Sequence, residues 1–226
     1  MTKRILIGIT LLTSGGLFGA QTSAERLTAS ANVMTEIMGT PDKSIPHELL
    51  EKSQCIVIVP GLKKGAFIFG GKYGRGYLLC RAKSGNGWSA PAGVTVEGGS
   101  FGFQIGGEET DAVMLVMSKR GAEKLMESKF TLGGDASVAA GPVGRTSSAD
   151  TDLQLHAEIL TYSRARGVFA GISLNGATLR PDKESNRELY RRTRTNQQIV
   201  MGGTVAPAAA SRLRADLSRY SSRKEE

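Results

Sequence analysis

Two cysteines, two histidines and one tryptophan in 226 residues leave little of the side-chain chemistry that metal centres and many active sites draw on. His47 and His156 lie far apart, and neither has a Cys or carboxylate beside it at metal-ligand spacing, which argues against a zinc site. No His-Glu-x-x-His helix occurs, so that metalloprotease signature is missing. Gly71-Lys-Tyr-Gly-Arg-Gly76 has the glycines of a dinucleotide fingerprint in reversed spacing. Strand-like residues follow it, so a phosphate would find no helix N-terminus there, and no cofactor is expected. Asp150, Asp152 and Glu158 could be drawn together as a carboxylate cluster, but nothing in their spacing fixes a mutual distance. Acid-base work needs that geometry first, and a solvated face is the simpler reading. Nothing here gives a positive reason to expect an enzyme.

The chain also lacks a hydrophobic run long enough to span a bilayer. An uncharged, largely apolar run, Ile5 to Ala20, follows Lys3 and Arg4 and leads into small residues. It falls short of the roughly 20 apolar residues a spanning helix needs, and its three-part layout is that of a secretory signal peptide. Cleavage after Ala24 places Thr22 and Ala24 at the two small-residue positions, whereas cleavage after Ala20 puts the bulky Phe18 at the outer one. The expected organisation is therefore a signal peptide over 1–24, one domain over 25–192 and a basic, mobile tail over 193–226. The expected location is outside the cytoplasm, periplasmic or associated with the cell envelope. In an exported chain Cys55 and Cys80 can form a disulfide, and each also sits in an apolar strand-like context that suits a buried free thiol.

What is present is positive charge and glycine. The formal net charge is +8, and between Arg180 and Glu226 eleven Lys and Arg face six Asp and Glu. That excess attracts anionic surfaces, and export leaves lipid headgroups rather than nucleic acid as the partner. Residues 65 to 107 hold 13 glycines among short runs of Ile, Val, Phe and Tyr, more than turns alone require. Glycine inside strands marks bulges and tight bends.

Periodicity orders these pieces. Leu27, Ala31, Met34 and Met38 recur at helical spacing over Glu25 to Met38, and a short helix follows over His47 to Lys52. Strands are expected at Ile56–Val59, Ala66–Phe69, Gly76–Arg81, Val94–Val96, Ser100–Ile105 and Ala112–Met117. The Asn-Gly pair in Ser84-Gly-Asn-Gly87 predicts an antiparallel hairpin between Arg81 and Trp88. A helix capped by Ser118 should run to about Ser128. Strand texture returns at Phe130–Ala140, Thr151–Ser163 and Gly167–Leu174. The fold class is α+β: a strongly curved, mainly antiparallel, glycine-rich sheet or partial barrel with N-terminal helices and one mid-chain helix.

Several ordered motifs resemble the SYLF domain family. They are Cys55-Ile-Val-Ile-Val-Pro60, Gly87-Trp-Ser-Ala-Pro91, Leu132-Gly-Gly134, Gly141-Pro-Val-Gly-Arg145 and Arg166-Gly-Val-Phe-Ala-Gly-Ile-Ser-Leu174. The resemblance covers Leu27 to Tyr190 and implies a non-enzymatic lipid-binding module, with phosphoinositide-type binding and, in the yeast branch, actin bundling. An exported chain does not meet actin, so actin is set aside and an anionic phospholipid surface is the expected partner. An envelope structural or partner-binding protein without lipid affinity is the alternative. In lipid-binding relatives the N-terminal helix is lysine-rich. Here it carries Arg26 alone against Glu25 and Glu36. The candidate headgroup ligands are accordingly the loop cations Lys63, Lys64, Lys72, Arg75, Arg164 and Arg166, where small neighbours allow close approach to phosphate.

Overall fold

In the computed structural model, residues 21–40, 44–66, 70–82, 87–100, 106–143, 157–165, 168–171 and 174–222 are described. Helix α1, Ser23–Met38, opens with a capping box: the Thr22 hydroxyl accepts from the Glu25 amide, and the Glu25 carboxylate accepts from the Thr22 amide. Its buried stripe of Leu27, Ala31, Met34 and Ile37 packs on the domain's own sheet. Helix α2 is His47–Lys52. The expected boundary between residues 24 and 25 therefore cuts inside α1, because the residues that cap the helix and start its first turn precede it.

The strands are β1 Cys55–Ala66, β2 Gly70–Cys80, β3 Ala92–Ser100, β4 Gly106–Val116, β5 Phe130–Thr131, β6 Val138–Ala140, β7 Ile159–Ala165, β8 Val168–Gly171 and β9 Thr178–Pro181. Helix α3, Lys119–Lys124, follows β4. The nine strands form one sheet in the order β5-β9-β3-β2-β1-β4-β7-β6, with β8 paired to β7. Among the described residues, every pairing between these strands is antiparallel except β6 with β7. Chain length explains why this sheet curls. Strands β5 and β6 lie at opposite ends of the order, yet only residues 132–137 separate them in sequence. Eight flat strands at ~4.8 Å spacing would hold those edges about 34 Å apart. Seven residue steps reach about 25 Å at most, so the edges must curve toward each other into the half-barrel observed.

Alternation along β1 shows the two layers. Cys55, Val57 and Val59 face one core with Leu78, Val94, Val96, Met114 and Phe130, closed by Leu125 after α3. Ile56 and Ile58 face the other, shared with Tyr77, Leu79 and the α1 stripe. A bulge between Val59 and Leu62 resets the register, and Gly61 sits there at φ +59°. Across the sheet from this bulge, a Cβ at Gly76 would lie 2.0 Å from the Ile58 carbonyl oxygen, so only glycine lets the two strands approach there. Cys55 and Cys80 are directly opposed in the register and joined as a disulfide within the first core. Among the described residues, no helix is long and apolar enough to cross a membrane.

Several expectations need revision. Strand β1 runs through Pro60-Gly61 instead of ending at Val59, because the bulge absorbs the proline. The strand texture at Phe130–Ala140 resolves into two short strands at opposite ends of the sheet order, since Gly133, at φ +82°, turns the chain between them. The helix after Ser118 ends at Lys124. The bridge between Arg81 and Trp88 has the expected antiparallel sense, while residues 83–86 of the expected turn lie outside the described residues. So do 67–69, 101–105 and 151–156 of the expected strands, Asp150, Asp152 and His156 among the weighed side chains, and residues 1–20 of the expected signal peptide.

The largest correction concerns the C-terminus. Three further helices follow β9: α4 Lys183–Tyr190, α5 Asn196–Met201 and α6 Ser211–Tyr220, the last entered through a 3-10 turn at Ala208–Ala210. Residues 193–222 of the expected mobile tail are docked through these helices. Ile199 and Val200 of α5 complete the core inside the curl. Leu213 and Leu217 of α6 are fully buried beside α1. High net charge hid two apolar residues at i, i+4 spacing, and that pair is enough to seat a helix on an existing face.

Candidate functional site

The curl and the bulge place the expected cations unequally. Lys63 and Lys64 lie just past the bulge on β1, and Lys72 and Arg75 lie on β2, near the end of the sheet where β1 turns into β2. In register Lys64 is directly opposite Lys72, and Lys63 is directly opposite Tyr73. Burial first, and the Lys64 charge second, push the Lys72 ammonium below its ordinary range. Tyr73 is 52% exposed, a large aromatic left outside the core on the face that it shares with Lys63. On its other side Lys63 is opposite Glu109 of β4. Lys64 is likewise opposite Glu108, so this end of the sheet is a glycine-framed lysine corner bordered by the glutamates of β4, with Gly65 and Gly71 having nothing within 4 Å of a would-be Cβ.

Arg75 does not belong to that corner. Its Nε and one terminal nitrogen donate to the two oxygens of Asp182 at 2.6 and 2.9 Å, and the same nitrogen reaches Glu184 at 2.9 Å. Asp182 caps α4 by accepting from the Ser185 amide at 3.0 Å. Burial would raise the Asp182 carboxyl, but the Arg75 fork and both Ser185 donors outweigh it and hold the carboxyl below the usual range. The same network seats α1: Arg26 donates to the Ser185 hydroxyl at 3.0 Å, Ser23 donates twice to Glu188, and the Tyr77 hydroxyl donates to the Ser23 carbonyl at 2.7 Å.

Arg164 is also committed within the protein. It donates from Nε to Asp111 at 2.8 Å and pairs with Glu36 of α1. Asp111 in turn accepts from the Gly61 amide at 3.0 Å, which ties the bulge, β4, β7 and α1 into one joint. Of the six cations expected to meet headgroups, Arg75 and Arg164 are thus internal clamps. Their carboxylate partners are 107 and 53 residues away, so no local motif could reveal them. Arg166 lies outside the described residues. The structure pairs Lys64 with Lys72, and it sets Lys63, one residue along, opposite Tyr73 on the other face.

Sequence reading also passed over cations that the fold leaves on the surface. Arg191, Arg192 and Arg194 follow α4, and Arg214 lies on α6. Among the described residues none of these four forms an ion pair with a carboxylate. Arg81, by contrast, is a hub: it donates to the Leu50, Glu51 and Ser53 carbonyls at the end of α2 and to Ser221, and its guanidinium lies 4.5 Å above the Trp88 ring. The Trp88 indole donates to the Ser221 hydroxyl at 3.0 Å, fixing the end of α6 to the β2–β3 turn.

A family model described as Ysc84, Las17-binding protein actin regulator, matches residues 97–220. That span reaches the last residue of α6. An SH3 domain-containing protein of Schizosaccharomyces pombe is 38% identical over 172 residues, covering 75% of this chain and 40% of that protein. SH3 domain-containing YSC84-like protein 1 of Homo sapiens is 35% identical over 186 residues, covering 82% of this chain and 54% of that protein. Protein YSC84 of Saccharomyces cerevisiae is 34% identical over 175 residues, covering 76% of this chain and 37% of that protein. The chain thus spans about half, or less, of the length of these relatives.

Proposed function

The chain belongs to the Ysc84, or SYLF, family, and from that premise we propose that it is a non-enzymatic protein that binds anionic phospholipid at a membrane surface. The observation that carries this reading is the pairing of Lys64 with Lys72 across two strands at the glycine-framed end of the sheet, with Lys63 and the exposed ring of Tyr73 paired on the opposite face. Two ammonium groups on adjacent strands make a cationic seat for a phosphate, next to Glu108, which stands opposite Lys64 on β4. An aromatic ring with a polar tip suits the boundary between headgroups and acyl chains. Export to the envelope is part of the proposal, supported by the layout of residues 1–24 and by a disulfide, which persists in oxidising compartments.

Flotation with vesicles tests it. Binding should require acidic lipid, weaken with salt, and fall in the triple variant Lys63→Ala, Lys64→Ala, Lys72→Ala. Binding equal to neutral and acidic vesicles, or binding to neither, overturns the lipid reading.

A second reading is a protein partner. It is favoured by the description of the matching family model as a Las17-binding actin regulator. The family match lends no support to setting actin aside, so co-sedimentation with filamentous actin belongs beside the vesicle experiment.

A further inference from the structure

Between the β2–β3 turn and helices α5 and α6 lies a partly open cavity of about 190 Å³. Trp88, Ile199, Val200 and Met201 give it an apolar floor, and Thr204 and Arg214 line it as well. Among the described residues no carboxylate lines it. Arg214 donates from Nε to the Trp88 carbonyl at 3.0 Å, which anchors the guanidinium at the cavity. Its two terminal nitrogens, the fork that matches a carboxylate or phosphate, have no ion-pair partner among the described residues. Arg194 does not line the cavity but stands at its margin, donating to the hydroxyl of the lining Thr204 at 3.4 Å. The one acidic residue on α6, Asp216, is engaged by Arg212 and Arg219.

An apolar floor with two uncompensated guanidinium groups selects a ligand that is acidic at one end and apolar at the other. Size narrows it further. A dry cavity of ~150 Å³ holds benzene, and drug-sized pockets begin at about 300 Å³. This cavity therefore has room for an acidic head with a short length of chain, and not for a whole diacyl lipid.

We propose that this cavity is a binding site for a single-chain anionic amphiphile, with Arg214 and Arg194 holding the acidic head and Trp88, Ile199, Val200 and Met201 receiving the first carbons. The inference rests on the lipid-binding reading and adds to it a second site, built by α5 and α6 and separate from the lysine corner. A membrane-derived lysophospholipid, a fatty acid and a soluble alkyl phosphate share the chemistry that it recognises.

Trp88 is the only tryptophan in the chain and forms part of the floor, so its fluorescence reports occupancy. Titration of the protein with hexyl phosphate should shift Trp88 emission saturably. Hexyl glucoside, which has the chain without the charge, and inorganic phosphate, which has the charge without the chain, should each bind at least about tenfold more weakly. Arg214→Gln and Arg194→Gln should each raise the hexyl phosphate Kd by about tenfold, the loss expected for one charge-assisted hydrogen bond. Arg194 is at the margin of the cavity, so its variant tests the site even if Arg214→Gln loosens α6. No saturable response, an equal response to hexyl glucoside, or affinities unchanged in both variants overturns the proposal. Vesicles separate the two readings: acidic vesicles bound with no Trp88 response to hexyl phosphate removes the cavity site alone, and a saturable Trp88 response without vesicle binding removes the membrane reading alone.

Discussion

Arg75 on β2 grips Asp182, the residue that caps α4, through two hydrogen bonds of 2.6 and 2.9 Å. A cation that sequence alone offers as a headgroup ligand is thereby the pin that holds a C-terminal helix against the sheet and, through Ser185 and Arg26, the N-terminal helix as well. Asp182 is buried and Arg75 is about a quarter exposed, so the aspartate has more to lose from a missing partner.

Arg75→Ala and Asp182→Ala should each lower stability, by about 2 kcal/mol for the arginine, discounted for its exposure, and by about 3 kcal/mol for the aspartate, which also caps the helix. Chemical denaturation measures both. Vesicle affinity of folded Arg75→Ala should match that of the unaltered protein, which separates a clamp from a headgroup ligand.

Acid should loosen the same joint. The Ser23 hydroxyl and amide hold the Glu188 carboxyl below its usual range, and the Arg75 fork does the same for Asp182 against its burial. Folded-state values lower than unfolded ones confer stability that is complete above the ordinary carboxylate range near about 4 and is lost as pH falls below it. The melting temperature should therefore drop below that range, and the drop should be smaller in the double variant Asp182→Asn, Glu188→Gln. An equal drop in both proteins would place the acid-sensitive groups elsewhere.

Helix α6 should be indispensable to the fold. Leu217→Ala empties a fully buried site and should destabilise by about 2–4 kcal/mol. Removing residues 211–226 strips Leu213, Leu217 and the Ser221 contact from Trp88, so its emission should shift to the red with loss of the thermal transition. A truncated protein that melts like the full chain would contradict the docked helix.

Reducing the Cys55–Cys80 disulfide, or replacing both residues with Ser, should destabilise the domain by about 3 kcal/mol. The bond joins positions 25 residues apart and so constrains the unfolded chain. Melting curves with and without reductant read the difference.

Two starting points for the mature chain should differ in stability. A protein beginning at Gln21 keeps the Thr22 cap, the Ser23–Glu188 contact and the Ser23 carbonyl that receives the Tyr77 hydroxyl. One beginning at Glu25 loses all three and should be less stable by about 2 kcal/mol. Equal melting temperatures for the two proteins would show that the cap region contributes nothing to stability.

Much of the architecture was legible because it is periodic. The stripe Leu27, Ala31, Met34 announced α1, and the alternation of Cys55, Val57 and Val59 with Ile56 and Ile58 is consistent with a strand buried on both faces. The glycines of 65 to 107 announced a bent sheet, and one of them, Gly76, answers a specific carbonyl 2.0 Å from where its Cβ would be. These are local consequences of side-chain spacing and backbone sterics, which a linear sequence carries in full. What each cation does was not legible in that way. Arg75 and Lys72 are three residues apart in similar glycine-rich surroundings, yet one is locked to Asp182 and the other faces Lys64. Arg214 sits in a segment whose charge suggested a loose tail, and it borders a cavity instead. Composition and periodicity determined the α+β class, the curved antiparallel sheet and the overall positive charge. Only the tertiary structure decided which positive charges are satisfied, because ion pairing falls steeply with distance and the carboxylates that neutralise Arg75 and Arg164 are brought within reach only when the sheet closes.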